Sequence, residues 1–264
     1  MYDCGVNLSS KQYTNYIETL KTHSIESGIK GWIAISNSED EWKKNLEYCR
    51  KYSDADFTIR TTLGIHPHNA KNTRLDSWQT LNKLVSDNKV VAIGECGLDY
   101  NRMFSSKEEQ IETFISQIDL AAKYNLPLYL HERDAHDDFY NLLALYKTKY
   151  PDLKGIVHCF TGNKNQMKKY VDLGFYIGIT GWITDVRRNR DLIQAVKSLP
   201  LDKLILETDS PFLVPYSYSK QWATKRNQPD SLCITLEKLS EELAKPKDMI
   251  KKISLDNTKM LFKI

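Results

Sequence analysis

The stretch that decides the fold begins with VVAIGE at residues 90–95, continues with EEQIETFISQIDLAAKY at residues 108–124 and ends with LPLYLH at residues 126–131. The two short apolar runs are typical of buried strands. The apolar residues of the segment between them recur at spacings of three and four, as on an amphipathic helix. A strand, a helix and a second strand in this order predict an α/β fold with a parallel sheet.

The same alternation runs along the whole chain. Strands are predicted at residues 2–8, 31–36, 58–65, 90–95, 126–131, 155–160, 175–180 and 203–208, and further helices at residues 137–150 and 190–199. Eight such units in 264 residues match a closed (β/α)8 TIM barrel, with an open doubly wound sheet as the alternative. No linker divides the chain, so residues 1–264 are predicted to form one domain, with residues 211–230 as a long loop after the last strand.

Composition excludes several classes of protein. With 41% hydrophobic and 27% charged residues, the chain can bury a substantial core, and disorder is not expected. No apolar run approaches the roughly 20 residues of a membrane-spanning helix, and the polar start does not resemble a signal peptide. We therefore expect a cytoplasmic protein without a membrane partner, or a nuclear one in a eukaryote. Five scattered cysteines without CxxC spacing argue against a disulfide framework or a zinc knuckle.

A net charge of +3 is too small to diagnose a nucleic-acid-binding protein. Two local clusters of cations nevertheless lie near tryptophans: Arg187, Arg188 and Arg190 near Trp182, and Lys220, Lys225 and Arg226 near Trp222. Such clusters either hold a phosphate backbone beside a stacked base or form an ordinary solvated face. The sequence leaves both interpretations open.

Most of the predicted strands end on a residue that can bind a metal or a phosphate. These residues are Asn7, His66, His68, Glu95, His131, His158 and Asp209. In a TIM barrel the carboxyl ends of the strands converge on one mouth, where the active sites of this fold lie. Each residue alone has a structural explanation, as a hydrogen-bonded histidine or a helix cap. Together they form the mixed nitrogen and oxygen ligand set that suits zinc, manganese or magnesium, so a divalent-metal site is predicted at the mouth.

Other catalytic chemistries find little support. Cys96 and Cys159 directly follow Glu95 and His158, so strand alternation is expected to point both thiols away from the ligand face. The chain has no GxxxxGKS loop for nucleotide phosphates and no GxSxG elbow for a serine hydrolase.

Eight stretches of the chain resemble, in order, the signature motifs of the TatD family of metal-dependent deoxyribonucleases. They are GIHPHNAK, VAIGECGLDYNR, LYLHERDAH, VHCFTG, YIGITGW, LETDSPFL, RNQP and NTKMLF. The resemblance implies a barrel of the metal-dependent hydrolase superfamily that cleaves DNA phosphodiester bonds, from the 3′ end and with single strands preferred. It also implies a place in DNA degradation or repair. No obligate protein partner is evident.

The resemblance also assigns roles by position. Glu95 and Asp209 are the expected catalytic residues, and Glu95, His131, His158 and Asp209 are the expected metal ligands, with Glu95 able to bridge two ions. The expected contacts to the substrate are Asn7, His66, His68, Arg133 and Arg226.

The first strand, YDCGVNLSS at residues 2–10, departs from the commonest family pattern. Many relatives begin with Asp-x-His-x-His, whose two histidines hold one of two metals, whereas here Gly5 and Asn7 occupy those positions. Glycine has no ligating side chain, and asparagine offers only a neutral oxygen. The strand resembles the branch that reads D-x-G-x-N-L. We expect one firm site for Mg²⁺, with Mn²⁺ or Zn²⁺ as alternatives, and a second site that is weak, rich in water or filled only with substrate.

Two other functions remain open at this stage. Related barrels hydrolyse small molecules as amidases or phosphotriesterases, often with a modified lysine on strand four, where this chain has Glu95. The second alternative is a binding protein that has lost its activity along with the first-strand histidines. The presence of Glu95, His131, His158 and Asp209 argues against it.

Overall fold

The computed structural model describes residues 1–216 and 226–264. Its strands are β1 (Tyr2–Val6), β2 (Gly31–Ala34), β3 (Thr58–Leu63), β4 (Ala92–Asp99), β5 (Leu128–Arg133), β6 (Gly155–Val157), β7 (Tyr176–Ile179) and β8 (Leu204–Leu206). Each strand pairs in parallel with the next, and a parallel bridge between Val6 and Ser210 joins the two ends of the sheet. The predicted TIM barrel is confirmed over the open doubly wound sheet.

Helices follow the strands around the outside of the barrel. Within the described ranges they are α1 (Ile17–Glu26), α2 (Glu39–Tyr52), α3 (Leu75–Asp87), α4 (Lys107–Tyr124), α5 (His136–Lys149), α6 (Lys164–Asp172), α7 (Arg190–Val196), α8 (Leu232–Leu243) and α9 (Lys247–Phe262). The three predicted helices correspond to α4, α5 and α7. None of the helices described combines the length and apolar composition needed to cross a bilayer.

The helix α4 connects the outside of the barrel to its mouth. It begins with a capping box, in which Ser106 and Glu109 satisfy each other's backbone N–H groups. Two buried glutamines on its inner face then reach the strand ends. Gln117 binds the backbone N–H and C=O of Ile65 at 2.8 and 3.0 Å, and Gln110 does the same at Asp99. These bonds fix the ends of β3 and β4, which carry site residues.

The strands β4 and β5 extend further than their sequence pattern indicates. They were predicted to end at Glu95 and His131, but their pairing continues to Asp99 and Arg133. Gly97 makes this possible, because a Cβ there would lie 1.9 Å from the carbonyl oxygen of His131. The longer pair brings two additional residues, Asp99 and Arg133, to the mouth. Conversely, β6 and β8 end earlier than predicted, at Val157 and Leu206.

The apolar core has two parts. The larger part lies between the strands and the surrounding helices and includes Trp42, Phe114 and Leu239, which are fully buried. The smaller part is drawn almost entirely from the strands, with Ile33, Ile156 and others filling the ring. Two packed layers of this kind are the usual core of a TIM barrel and leave only the mouth polar.

The predicted loop 211–230 includes the undescribed residues 217–225. Lys220 and Lys225, two members of the second predicted cationic cluster, and the neighbouring Trp222 lie outside the described residues. At the end of this segment, Pro229–Ser231 form a short 3-10 turn that leads into α8.

Candidate metal centre

The carboxylate of Glu95 is the centre of the site. Its Oε1 atom lies 2.8 Å from Nδ1 of His131, 2.8 Å from Nε2 of His158 and 3.5 Å from Nε2 of His66. The four side chains come from or directly follow β3, β4, β5 and β6, and Glu95, His66 and His158 are buried. The barrel thus brings one carboxylate and three imidazoles together, as expected from the strand-end pattern.

Two of these histidines are each held from behind by a second carboxylate. His131 contacts Asp99 Oδ2 through Nε2 at 3.2 Å and donates through Nδ1 to Glu95, so release of the Nδ1 proton would leave a lone pair at that position. His158 has Nδ1 3.6 Å from Glu207 Oε1, an electrostatic contact longer than a hydrogen bond, and donates through Nε2 to Glu95, so release of that proton would likewise leave a lone pair there. A carboxylate on the far ring nitrogen is the usual support of a metal-binding histidine, because it fixes the tautomer and the ring orientation.

His66 is arranged differently. Its Nδ1 accepts the backbone N–H of His68 at 3.1 Å, so in the neutral ring the proton lies on Nε2. Burial lowers the pKa of His66 to about 3 and keeps the ring neutral. Nε2 can therefore donate a hydrogen bond but has no lone pair for a cation. One donor atom each from His66, Glu95 and His131 lies within 4.8 Å of the others, but the tautomer suits His66 better to an anion.

Asp209 lies beside this group and is positioned by the first strand. Asn7 donates its amide N–H to Asp209 Oδ1 at 2.9 Å and accepts an N–H from Asn37 at 3.1 Å. Its oxygen is thus already bonded, and Asn7 orients Asp209. Burial and the charges of Glu95 and Glu207 raise the pKa of Asp209 to about 7, against the opposing effect of His158.

The charges at the centre balance one another in the protein alone. Burial would raise the pKa of Glu95, but the charge of His158 and the hydrogen bonds of His131 and His158 hold it well below its usual value. Burial would lower the pKa of His131, but its bonds to Asp99 and Glu95 raise it to about 9. The carboxylates are thus compensated by protons on imidazoles. Metal binding releases such protons, so a cation can take over the same role.

The space over Gly5 is occupied by a buried pair. Tyr129 donates its hydroxyl to Glu207 Oε2 at 2.7 Å, and both side chains are fully buried. A Cβ on Gly5 would lie 2.7 Å from the Tyr129 hydroxyl oxygen, and one on Gly178 would lie 2.3 Å from Glu207 Oε1. The two glycines therefore make room for Glu207, and a histidine cannot project from Gly5 without displacing this pair.

Sequence reasoning missed Asp99, Glu207 and Tyr129. For Asp99 a signal was present, since residues 95, 97 and 99 share one face of a strand if VVAIGE continues through CGLD. Glu207 lies within the quoted LETDSPFL motif, two residues before Asp209. A glutamate near the end of a predicted strand is usually expected to face solvent, so the sequence does not show that this one faces the inside of the barrel. Tyr129 lies within an apolar run and resembles a core residue.

An open cavity of about 750 Å³ lies over the centre. The predicted site residues that line it are Asn7, His66, His68, Glu95, His131, Arg133, His158 and Asp209. Arg133 is exposed, and His68 is held at 2.8 Å by Asp99. Arg226 is not among the residues that line this cavity. Its guanidinium lies over the ring of Tyr16, 4.4 Å from the centroid, and donates to the carbonyl of Gln12.

The prediction that Cys159 points away from the mouth is wrong. β6 ends at Val157, so strand alternation does not extend to Cys159, whose backbone turns into the left-handed region with φ of 46°. The side chain lines the cavity. Burial raises the pKa of the thiol to about 12, which keeps it protonated and a poor nucleophile.

The arginine cluster near Trp182 is mostly engaged in local contacts. Arg187 and Arg188 both bind Asp185, at 2.7 and 2.8 Å. The guanidinium of Arg188 also covers the ring of Trp182 at 3.5 Å from its centroid. These contacts favour the interpretation of this cluster as a structured surface.

Comparison with known proteins identifies the family. The sequence matches the family described as TatD related DNase over residues 2–263. The chain belongs to the TatD family. It is 34% identical over 264 residues to the 3′-5′ ssDNA/RNA exonuclease TatD of Escherichia coli K12, covering 100% of this chain and 99% of that protein. The resemblance drawn from the motifs is confirmed, and with it the enzyme class, a hydrolase of the TatD nuclease family.

Solved structures of TatD relatives share the whole fold. The crystal structure of the TatD homologue YJJV of E. coli K12 superposes with a TM-score of 0.90 at 26% identity, covering 100% of this chain and 98% of that one. A TatD family hydrolase from Entamoeba histolytica gives a TM-score of 0.88 at 26% identity, with 99% and 97% coverage. The barrel that holds Glu95 and its partners is therefore the barrel of this family.

Proposed function

We propose that this protein is a metal-dependent exonuclease that removes nucleotides from the 3′ end of single-stranded DNA. The observation that carries the proposal is the convergence of two carboxylate-supported imidazoles, His131 and His158, on one oxygen of Glu95 in an open mouth. The direction and substrate are supported by the name of the E. coli relative, a 3′-5′ ssDNA/RNA exonuclease.

The residues of the centre fit a divalent cation. Glu95 offers a carboxylate oxygen, His131 and His158 offer oriented lone pairs, and Asp209 adds a second carboxylate beside them. This mixture of oxygen and nitrogen donors suits Mg²⁺, Mn²⁺ and Zn²⁺. We propose Mg²⁺ as the ion in use, with Mn²⁺ and Zn²⁺ as alternatives. The chemistry that a bound ion supplies is polarisation of a phosphate oxygen and a lowered pKa for water.

The remaining chemistry belongs to the protein's own side chains. Asp209 accepts the proton of the attacking water. It is held in place by Asn7, whose amide N–H donates to Asp209 Oδ1 at 2.9 Å. His66 donates a hydrogen bond from its Nε2–H group to a phosphate oxygen, and Arg133 supplies a positive charge at the rim of the mouth. Together these groups bind the phosphate and neutralise its charge as the bond breaks.

The first strand supports only one firm metal position. Gly5 has no donor, and the space in front of it is filled by Tyr129 and Glu207. The amide of Asn7 is bonded on both sides, to Asp209 and Asn37. A second ion, if one binds with substrate, would take its ligands from the substrate phosphates, Glu95 and Asp209.

The proposal is tested with a single-stranded oligonucleotide labelled at its 5′ end and metal-stripped protein titrated with Mg²⁺ or Mn²⁺. We expect a ladder that shortens from the 3′ end, depends on the added ion and is absent in Glu95→Ala. Glu47→Ala, which removes an exposed carboxylate on α2, is the matched control and should retain full activity.

Two results would overturn the proposal. Release of the labelled 5′ nucleotide as the first product would show that cleavage begins at the 5′ end. Absence of cleavage with any ion, combined with hydrolysis of cyclic amides or nitrophenyl esters, would favour the small-molecule hydrolase.

A further inference from the structure

The connection after β4 places an exposed phenylalanine in the wall of the polar mouth. Phe104 is 51% exposed, lines the cavity and packs perpendicular to the ring of His68, with the ring centroids 4.8 Å apart. In a perpendicular pair His68 covers at most one face of the phenylalanine ring. At least one face is thus available to a flat partner, as in the aromatic platforms on which single-stranded nucleic acids stack.

The loop that carries Phe104 is firmly held from behind. Asp99 Oδ1 accepts the backbone N–H groups of Asn101 and Arg102 at 3.0 and 3.1 Å. Gln110 binds the carbonyl of Ser105 at 3.0 Å, and the Ser105 hydroxyl donates to the carbonyl of His68 at 3.2 Å. Because the loop is already ordered, a base that stacks on Phe104 binds with little loss of conformational entropy in the protein.

Two cations lie on the same side of the mouth. Lys71 and Arg102 are exposed and line the cavity with Phe104. Neither forms an ion pair with a carboxylate in the described part of the chain. Cations next to an aromatic platform are the combination that binds a phosphate backbone and a base together.

The adjoining part of the rim, after β5, carries carboxylates as well as cations. There a second polar cavity, of about 770 Å³, is lined by Asp134, Asp137 and Asp138 together with Arg133 and Lys107, all of them exposed. The three aspartates outnumber the two cations, so a polyanion is attracted less strongly to this part than to Lys71 and Arg102. The two parts of the rim are therefore not equivalent for a nucleic-acid strand.

We propose that Lys71, Arg102 and Phe104, here called the β4 rim, form the subsite for the nucleotide on the 5′ side of the cleaved bond. The strand leaves the mouth over this rim, with a base on Phe104 and backbone phosphates near the two cations. The inference rests on the proposed exonuclease function and adds the path of the substrate to it.

The test compares a single-stranded oligonucleotide with the methyl ester of thymidine 5′-monophosphate, which has neither a nucleotide nor an aromatic ring on the 5′ side of its cleaved bond. We expect Phe104→Ala to lower kcat/KM for the oligonucleotide by about 5- to 100-fold, the usual effect of losing one stacked base, and to leave the ester rate unchanged. Phe104→Tyr should restore the oligonucleotide rate. Lys71→Ala and Arg102→Ala should each weaken the salt dependence of oligonucleotide binding.

Matched controls are Leu145→Ala, an exposed apolar residue on α5, and Arg50→Ala, an exposed cation near the end of α2. Neither should affect either substrate. Equal losses on both substrates in Phe104→Ala would contradict the proposal, since they would mean that Phe104 only supports His68. No loss on either would contradict it as well.

A failure of the proposed function is distinguishable from a failure of the rim. If the wild-type protein hydrolyses neither substrate, the exonuclease proposal fails. The rim is then judged by the binding of a fluorescent oligonucleotide to metal-free protein, measured by anisotropy. Equal affinity of wild type and Phe104→Ala would refute the subsite, and a weaker affinity in the variant would support it.

Discussion

Replacing Gly5 by alanine tests why the first strand lacks its histidine. The added Cβ would lie 2.7 Å from the hydroxyl oxygen of Tyr129 and 3.0 Å from Oε2 of Glu207. Both side chains are fully buried, so neither can swing into solvent. We therefore expect the substitution to destabilise the protein, although Gly5 does not have a positive φ that would disfavour alanine.

The size of the effect follows from these contacts. Overpacking a buried site costs about 1 to 3 kcal/mol. Disturbing the hydrogen bond between Tyr129 and Glu207 adds about 1 kcal/mol. Alanine also reduces the conformational entropy of the unfolded chain, which offsets about 0.4 to 1 kcal/mol of this cost. The net cost is about 1 to 3.6 kcal/mol, which at about 2 to 4 °C per kcal/mol for a chain of this size lowers the melting temperature by about 2 to 14 °C.

The assay is thermal unfolding of metal-free protein, followed by circular dichroism. Gly5→Ala is compared in the wild-type background and in Tyr129→Phe, which removes the oxygen nearest to the new Cβ. If that oxygen is the obstacle, the cost of Gly5→Ala should fall by about 1 kcal/mol in Tyr129→Phe. An equal cost in both backgrounds, or wild-type stability of Gly5→Ala, would refute the reasoning. Gly5→His should then fail to add a second bound ion, as judged by calorimetric titration with Mn²⁺.

Three further predictions concern residues behind the proposed metal ligands. Glu207→Gln should weaken Mn²⁺ binding in calorimetry by about 10- to 100-fold, because His158 loses its supporting carboxylate. Wild-type affinity would contradict this role. Asp99→Asn should weaken Mn²⁺ binding by a similar factor, because His131 loses its supporting carboxylate. An unchanged affinity would show that His131 does not need this charge. Asn7→Ala should reduce kcat for the oligonucleotide far less than Glu95→Ala does, since Asn7 only orients Asp209. An equally severe loss would make Asn7 a ligand.

The fold could be predicted because its signal repeats. Eight short apolar runs alternate with amphipathic segments such as residues 108–124. A misplaced boundary in one of them does not change the number of strand–helix units. The convergence of Glu95, His131 and His158 followed from the same pattern, since parallel strands in a barrel end at one mouth.

The supporting residues were not predicted, because their places in the site depend on distances between strands. Asp99 joins the site because Gly97 lets β4 and β5 pair further than expected. Glu207 faces the inside of the barrel because Gly5 and Gly178 leave space for it. A glycine in the sequence does not reveal which side chain will fill the space that it leaves.

Two residues illustrate the limits of motif position. Asn7 was expected to contact the substrate; it lines the cavity, but both ends of its amide are bonded within the protein, so the contact stays a prediction. Arg226 is adjacent to the mouth in the motif order, but its guanidinium lies over Tyr16. Position in a motif gives the neighbourhood of a side chain, and packing decides where its polar end points.

The central claim is that Glu95 holds a divalent ion together with His131 and His158. The most direct measurement is Mn²⁺ binding to metal-stripped wild type and Glu95→Gln, followed by the electron paramagnetic resonance signal of the free ion, with unfolding curves to confirm that both proteins are folded. We expect a single firm site in the wild type and an affinity reduced by more than about 100-fold in Glu95→Gln, since loss of a ligand should exceed the loss of a supporting residue. Equal affinity and stoichiometry in the two folded proteins would contradict the claim.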